Sequence, residues 1–409
     1  MTETYKAYLM LNSLSVFRGI LERTVIKRYL ELLKSAESAP DEFLSAYGEF
    51  YSLLSERGVT ENLAYYITQS ALFDENCFSL ASAAGKDSEL PSGLSAAAAH
   101  DCEVISQVCK LECDEIINEY KYIYEIRELA NALPRWKQGE PVPEFNTENV
   151  KLSELAGFYR QNGCGMFARY KAFIWRDGDI RPVVHPDKIE LSSFIGYEAQ
   201  RDKVIENTLA FLDSKSCNNC LLNGDMGTGK SSTVKAIGNA FRNKGLRIVE
   251  MPKERLSEFP ILVDKIAALP MKFIIFIDDL SFQRQDKSYT SLKAVLEGGL
   301  AARPDNALIY ATSNRRHLVK ESWQDRDTDD IHRRDNMQET LSLSDRFGLS
   351  VCFGNPDKKE YLDIVFALAD KAGIKKAPEE LSIEAERFAL GRGGRSPRCA
   401  KQFIESLLI

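Results

Sequence analysis

The sequence predicts an α/β fold: a parallel sheet flanked by helices, followed by a helical C-terminal segment and preceded by a mainly α-helical N-terminal domain. Three observations predict it. Between residues 5 and 130 apolar side chains recur at the spacing of one helical face. From about residue 190 short apolar runs alternate with helical patterns, the rhythm of a parallel sheet with helical crossovers. Beyond residue 356 the periodicity is helical again. The expected division is 1–131 helical, 132–189 linker with a small β-hairpin, 190–355 α/β and 356–409 helical.

In order along the chain, VFRGILERTVIKRYLELLKS places Phe17, Ile20, Leu21, Val25, Tyr29, Leu30 and Leu33 near one helical face. DEFLSAYGEFYSLLSERG repeats the pattern and stops at Gly58. A long helix is expected from Ala96 to Ala130, with Cys109 and Cys113 four residues apart on it. No histidine or close thiol completes a ligand set, so both are expected to pack rather than bind metal. ALPRWKQGEPVPEFN, residues 132–146, reads as a connector. MFARYKAFIWRDGDIRPVVHP alternates apolar and polar residues around Asp177-Gly178, a hairpin-turn signal, and is expected to bridge the two halves. CLLNG, LRIVEM, KFIIFIDD and ALIYATSN are the expected strands. DKKEYLDIVFALADKAG, PEELSIEAERFALGRG and SPRCAKQFIESLL are the expected final helices.

The 409 residues suffice for two or three domains, and 44% hydrophobic with 28% charged residues is ordinary globular composition. Charge is uneven: residues 1–190 hold 20 Lys+Arg against 29 Asp+Glu, and the remainder 33 against 31. An acidic front half is a poor footprint for bulk nucleic-acid binding, which needs positive charge to displace counterions. The nine cysteines are odd in number and irregularly spaced, which argues against a disulfide framework. Cys217-Asn-Asn-Cys220 lacks a second pair and is expected to be plain thiols. No apolar run approaches the ~20 residues of a membrane span, so the expectation is a soluble, cytoplasmic protein with no membrane partner.

LLNGDMGTGKSS, residues 221–232, sits between an expected strand and an expected helix and fits G-x-x-x-x-G-K-[ST]. Glycine at 224, 227 and 229 lets the loop curl until backbone N–H groups face a phosphate, and the following helix adds its own N–H groups. Gly224, Gly227, Thr228, Gly229, Lys230, Ser231 and Ser232 are therefore candidate nucleotide-binding residues. Lys230 is placed on the β- and γ-phosphates and Ser231 on Mg²⁺. FIIFIDD is a strand buried on both faces that delivers Asp278 and Asp279 beside this loop. Asp278 is the candidate Mg²⁺ partner, and Asp279 the candidate to orient and deprotonate an attacking water. ALIYATSN ends in Asn314, an amide suited to holding that water or sensing the γ-phosphate. Arg346 in LSDRFGL, and Arg392, Arg395 and Arg398 in GRGGRSPR, are arginines able to stabilise transition-state charge or close over a nucleotide.

This ordered set resembles the AAA+ ATPases. NGDMGTGKSS, FIDDLSF, LKAVLEGGL, IYATSNRRHL and LSDRFGL resemble in particular a bacterial AAA+ group grouped as a domain of unknown function, over residues 190–409. The resemblance implies an ATPase using ATP and Mg²⁺, with adenine contacts at Ile195 and Gly196 in LSSFIGYEAQ. It implies Asn314 as sensor 1, Arg346 as an arginine finger reaching a neighbouring subunit's ATP, and Arg398 as sensor 2 with Arg395 as the competing choice. The Asp-Asp pair departs from the commoner Asp-Glu, which favours a nucleotide switch over fast turnover.

Three functions follow as expectations. The first is an ATP-dependent switch or remodeller that assembles into a homo-oligomeric ring or arc and recruits a protein partner through its acidic helical half. The second is a DNA- or RNA-acting loader, with Arg315, Arg316, Arg333 and Arg334 lining a basic pore. A P-loop small-molecule kinase is the third, and the sensor-like residues count against it. Residues 320–345, dense in both charges, read either as a solvated insertion or as a contact loop for a partner.

Overall fold

The structure, a computed structural model, describes residues 1–145, 151–280, 292–293, 296, 304–314 and 346–408. The 320–345 segment and Arg315, Arg316, Arg333 and Arg334 lie outside the described residues. The chain forms two compact units, Met1–Arg169 and Tyr170–Ile409.

The first unit is helical. Helices α1 (Glu3–Asn12), α2 (Thr24–Ser35), α3 (Pro40–Arg57), α4 (Leu63–Leu72), α5 (Cys77–Ala83) and α6 (Ser92–Val108) share one core. Tyr29 of α2 stacks on Phe50 of α3 at 5.3 Å between ring centres, and α3 ends as expected at Gly58. On α6, the fully buried carboxylate of Asp101 accepts the backbone N–H groups of Val16 and Phe17 at 2.7 and 2.9 Å and of Ser15 at 2.9 Å. Three donors on one carboxylate replace the water it gives up.

The long helix expected over Ala96–Ala130 is instead α6, α7 (Cys113–Asn118) and α8 (Arg127–Ala132). The break has a local cause. The Glu115 carboxylate accepts the N–H of Glu112 at 2.9 Å, which starts a new helix there. Tyr120 then leaves the helix to stack on Phe43 at 4.0 Å and donate to Ser38 O. The expected connector 132–146 differs too. Trp136, Val142 and Phe145 are buried in the unit's core, and the Ala64 N–H donates to Gln138 O at 2.7 Å. Apart from a 3-10 turn at Pro143–Phe145, the proline-rich residues 133–145 form no helix or strand, while their apolar side chains still pack. Helices α9 (Leu152–Asn162) and α10 (Gly165–Arg169) complete the unit, where a linker running into the hairpin was expected.

The second unit is built on a seven-stranded sheet of β1 (Ala172–Arg176), β2 (Asp179–Pro182), β3 (Cys220–Gly224), β4 (Leu246–Glu250), β5 (Lys272–Ile277), β6 (Ala307–Ser313) and β7 (Leu349–Phe353). The spatial order is β2-β1-β4-β5-β6-β3-β7, parallel except for the β1–β2 hairpin. Each of the four expected strands forms. The hairpin turns at Asp177-Gly178, both with positive φ (54° and 72°), as a two-residue hairpin needs. Expected as a bridge, the hairpin belongs to the second unit's sheet, where β1 pairs in parallel with β4 and extends it. Trp175 fixes it there, its indole N–H donating to Glu258 Oε2 at 2.7 Å.

Every residue of β3 and β6 is buried, the signature of central strands. β7, an edge strand absent from the expectations, alternates buried Val351 and Phe353 with exposed Ser350 and Cys352. Helices α11 (Glu198–Leu212), α12 (Lys230–Phe241) and α13 (Phe259–Ala267) connect the strands. The three expected C-terminal helices, α14 (Lys358–Lys371), α15 (Pro378–Gly391) and α16 (Pro397–Ser406), pack around their own apolar cluster. All nine cysteines are free thiols. Among the described residues no helix is long and apolar enough to cross a membrane, and no group of three or more His, Cys, Asp or Glu side chains could hold a metal ion.

Candidate functional site

Sheet order decides which side chains meet. β6 lies between β3, which leads into the glycine loop, and β5, which leads into Asp278-Asp279. All three strands are parallel, so loop, aspartates and the tip of β6 emerge at one edge of the sheet. Ligands of open α/β sheets bind at such carboxyl ends.

All three glycines of the loop have positive φ, which strains any other residue, and Gly224 also has no room for a side chain. A Cβ on Gly224 would lie 2.1 Å from Phe353 O, inside van der Waals contact, and its φ is +127°. At Gly227 a Cβ would meet Ser396 Oγ and Arg398 Cβ at 3.2 Å, so the start of α16 rests on the loop. The Arg398 N–H donates to Gly227 O at 3.2 Å. Thr228 is buried, and its hydroxyl closes the turn by donating to Asp225 O at 2.8 Å.

Lys230 opens α12 and is 95% buried, its ammonium donating to Gly224 O at 2.9 Å and Asp225 O at 2.6 Å. Burial lowers its pKa from the ordinary lysine value, while the carboxylates of Asp225, Asp279 and Asp278 pull it the other way. The next residue, Ser231, donates its hydroxyl to Asp278 Oδ1 at 2.6 Å. Ser232 follows on the first turn of the same helix.

Asp279 has a left-handed backbone, φ +50°. Asn314, just past β6, donates from Nδ2 to Asp279 Oδ1 at 2.8 Å. Thr312 touches both aspartates: its hydroxyl donates to Asp278 Oδ1 at 2.5 Å and accepts the Asp279 N–H at 2.9 Å.

One wall of the site is the segment before α11. Phe194 lies against the loop, with its ring edge 3.7 Å from where a Cβ on Gly229 would sit. Ile195 packs against the C-terminal helical cluster, and a Cβ on Gly196 would lie 3.3 Å from Ile364 Cδ1 of α14. Arg201 donates to Gly196 O and covers the Phe194 ring at 5.2 Å.

The structure thus gathers the loop, Ile195, Gly196, Asp278, Asp279, Asn314 and the backbone of Arg398 at one end of the sheet. It separates two residues from them. Arg395 is held on the helical cluster by a two-pronged ion pair to Glu386, at 2.8 and 2.6 Å. Arg346 precedes β7, whose Leu349 is in register with Cys220 at the start of β3, so it stands at the opposite end of the sheet from Lys230. Reasoning from sequence missed Thr312, Asp225 and Tyr197. Thr312 alone was legible, two residues before Asn314 and therefore on the same side of the strand.

A parallel sheet with this strand order, a G-x-x-x-x-G-K-S loop between β3 and α12, and a C-terminal three-helix bundle define an α/β P-loop NTPase fold of the AAA+ type. The family described as "Protein of unknown function (DUF815)" matches residues 168–408, more than half of the chain, and the chain belongs to that family. No curated protein matches it. Among solved structures it is similar to the Holliday junction branch migration motor RuvB of Thermotoga maritima, with 16% identity over 53% of this chain and 63% of that one, at a TM-score of 0.36. It is also similar to AMPPCP-bound DnaA of Aquifex aeolicus, with 16% identity over 56% of this chain and 66% of that one, at a TM-score of 0.38. The chain thus spans just under two thirds of the length of RuvB.

Proposed function

We propose that this protein is an ATPase that works as an oligomeric, nucleotide-controlled switch or remodeller of a protein partner. The observation that carries the reading is the 2.6 Å contact between Ser231 Oγ and Asp278 Oδ1, beside a buried lysine in a glycine loop. A hydroxyl and a carboxylate oxygen in contact are the donors a hard divalent cation takes, so the residues fit Mg²⁺. Bound there with ATP, the ion would neutralise charge between phosphate oxygens.

The chain's own groups have distinct tasks in this reading. Lys230 exchanges its two carbonyl partners for phosphate oxygens, regaining the favourable contact its burial costs it. Loop N–H groups and the start of α12 hold the phosphates, with Thr228 fixing the turn and Ser232 on the same helical turn. Ile195 and Gly196 face the base from the wall beside Ile364. Asn314 and Asp279 orient the attacking water, and Asp279 accepts its proton. Arg398, exposed and seated on the loop, is the sensor arginine, since Arg395 is committed to Glu386. Arg346, before the start of β7 and so at the far end of the sheet from its own loop, acts on a neighbouring protomer.

Partner recruitment is assigned to the helical unit, which with the segment up to residue 190 carries the excess of acidic residues. The test is mass in solution by light scattering, with no nucleotide, ADP, or ATP plus Mg²⁺, for the wild type and Asp279→Asn. A discrete oligomer that grows with ATP and accumulates in Asp279→Asn supports the reading. A monomer throughout, with ATP bound, removes the self-assembling ring. Salt-dependent DNA binding in the same preparations would move the assignment to a nucleic-acid loader.

A further inference from the structure

We infer that Thr312 is a positioning residue that locks the two aspartates into complementary orientations, one toward the metal and one toward the water; this rests on the Mg²⁺–ATP reading of the site. Two constraints meet at its hydroxyl and a third at its backbone carbonyl, in a residue that is 98% buried near the end of β6. Its single proton goes to Asp278 Oδ1 at 2.5 Å. A lone pair takes the Asp279 N–H at 2.9 Å. Its own backbone carbonyl accepts the Leu280 N–H at 2.7 Å, holding the chain that leaves β5 against β6.

The consequence is geometric. Asp278 and Asp279 are sequence neighbours whose carboxylates have different partners: Ser231 for the first, Asn314 for the second. Consecutive residues on an extended strand would point to opposite faces. Here the left-handed backbone of Asp279 turns its side chain onto Asn314. A non-glycine residue in that region is strained and persists only when its surroundings hold it. The direct alternative for the Asp279 N–H, Asp278 Oδ1, is the longer contact at 3.1 Å. Thr312 therefore supplies the better acceptor for a strained backbone and, with the same atom, a donor that fixes the Asp278 oxygen nearest Ser231. Only a hydroxyl can do both, because it carries a proton and free lone pairs on one atom. Valine has the same shape and neither capacity.

The test compares Thr312→Val, Thr312→Ser and wild type in three measurements. These are affinity for a fluorescent ATP analogue without Mg²⁺, the Mg²⁺ concentration that half-saturates the effect on that affinity, and steady-state hydrolysis split into kcat and KM. Orienting partners of metal ligands typically carry about 10–100-fold in metal affinity or activity. Thr312→Val should keep Mg²⁺-free binding within about twofold, while needing about tenfold more Mg²⁺ and losing about tenfold or more in kcat. Thr312→Ser, which restores the hydroxyl, should return both to within a few-fold of wild type. Thr312→Ala replaces the valine variant if the latter unfolds. Unchanged Mg²⁺ dependence and kcat in the apolar variant overturn the inference, as does a serine variant as impaired as the valine one. A wild type that binds no nucleotide overturns the ATPase reading itself, and the inference with it.

Discussion

The carboxylate of Asp225 accepts the backbone N–H of Asn355 at 2.8 Å, joining the glycine loop to the strand–helix junction that leads into the C-terminal bundle. Two further ties hold that junction: the Asp225 N–H donates to Phe353 O at 3.0 Å, and the Tyr197 hydroxyl donates to Gly354 O at 2.6 Å. Since Lys230 also bonds Asp225 O, any rearrangement of the lysine around a phosphate is felt one residue away from the hinge of α14.

Asp225→Ala should therefore loosen the hinge without touching the phosphate-facing atoms of the loop. The Asn355 amide should lose its hydrogen-exchange protection, and nucleotide affinity should fall about tenfold, the equivalent of about 1.5 kcal/mol, the low end for one lost bond to a charged group. An Asn355 amide exchanging as slowly as in the wild type would show that the bond does not restrain the hinge.

The two candidate sensor arginines should separate cleanly. Arg398 has its Cβ and N–H against Gly227 and no ion pair among the described residues. Arg395 is bound to Glu386, whose carboxyl is held below its ordinary value by that hydrogen bond. Arg398→Ala should lower ATP affinity or hydrolysis by about tenfold or more, the scale of losing one charge-stabilising donor, with the unfolding midpoint kept. Arg395→Ala should lower the unfolding midpoint and leave hydrolysis within about twofold of wild type. The reverse pattern would assign the sensor role to Arg395.

Local structure was legible in the sequence where it is set within one strand–loop–helix unit. The glycine loop, the ends of β5 and β6 and the Asp177-Gly178 turn were legible because local backbone chemistry dictates them. Contacts made between distant segments were not. Trp136 lies in a proline-rich stretch that looks like a linker, and its burial becomes visible only with α3 and α4 in place. The break between α7 and α8 turns on Tyr120 meeting Phe43, a contact 77 residues apart in sequence. β7 hid because an edge strand half exposed to solvent lacks the continuous apolar run of β5. Thr312 was read only as part of a strand: the side it shares with Asn314 is legible from their spacing, but nothing local says that its hydroxyl meets the turn after β5.

In the helical unit, Asp101 should behave as a structural keystone. Asp101→Ala leaves the N–H groups of Ser15, Val16 and Phe17 without their acceptor, Val16 and Phe17 being buried. An unsatisfied buried donor costs about 1–3 kcal/mol, so a loss of about 3 kcal/mol in urea unfolding is expected. Asp101→Asn, which keeps one acceptor oxygen, should lose less. Equal losses would mean that packing volume, rather than the donors, sets the value of the site.

Acid should release the anchor of α1. The Glu119 carboxylate accepts both the N–H and the hydroxyl of Thr4 at 2.8 Å. Burial, the largest single influence, would raise its pKa, but the two Thr4 donors, the Glu3 N–H and the N-terminal charge together hold it below the ordinary value of 4.5. A carboxyl depressed in the folded state binds fewer protons there than in the unfolded chain, so stability rises with pH across the interval between the two values. The contribution is complete above about pH 4.5, the unfolded value, and disappears as pH falls through the lower folded value. Glu119→Gln should cost about 1 kcal/mol at pH 7, a figure kept low because the group is partly solvated. The gap between wild type and variant should then narrow below pH 4.5 and close once the folded-state carboxyl is protonated. Urea unfolding of both proteins from pH 7 to pH 3 measures this gap directly. A gap that stays constant across that range would assign the role of Glu119 to its shape and hydrogen bonds, with its charge contributing nothing.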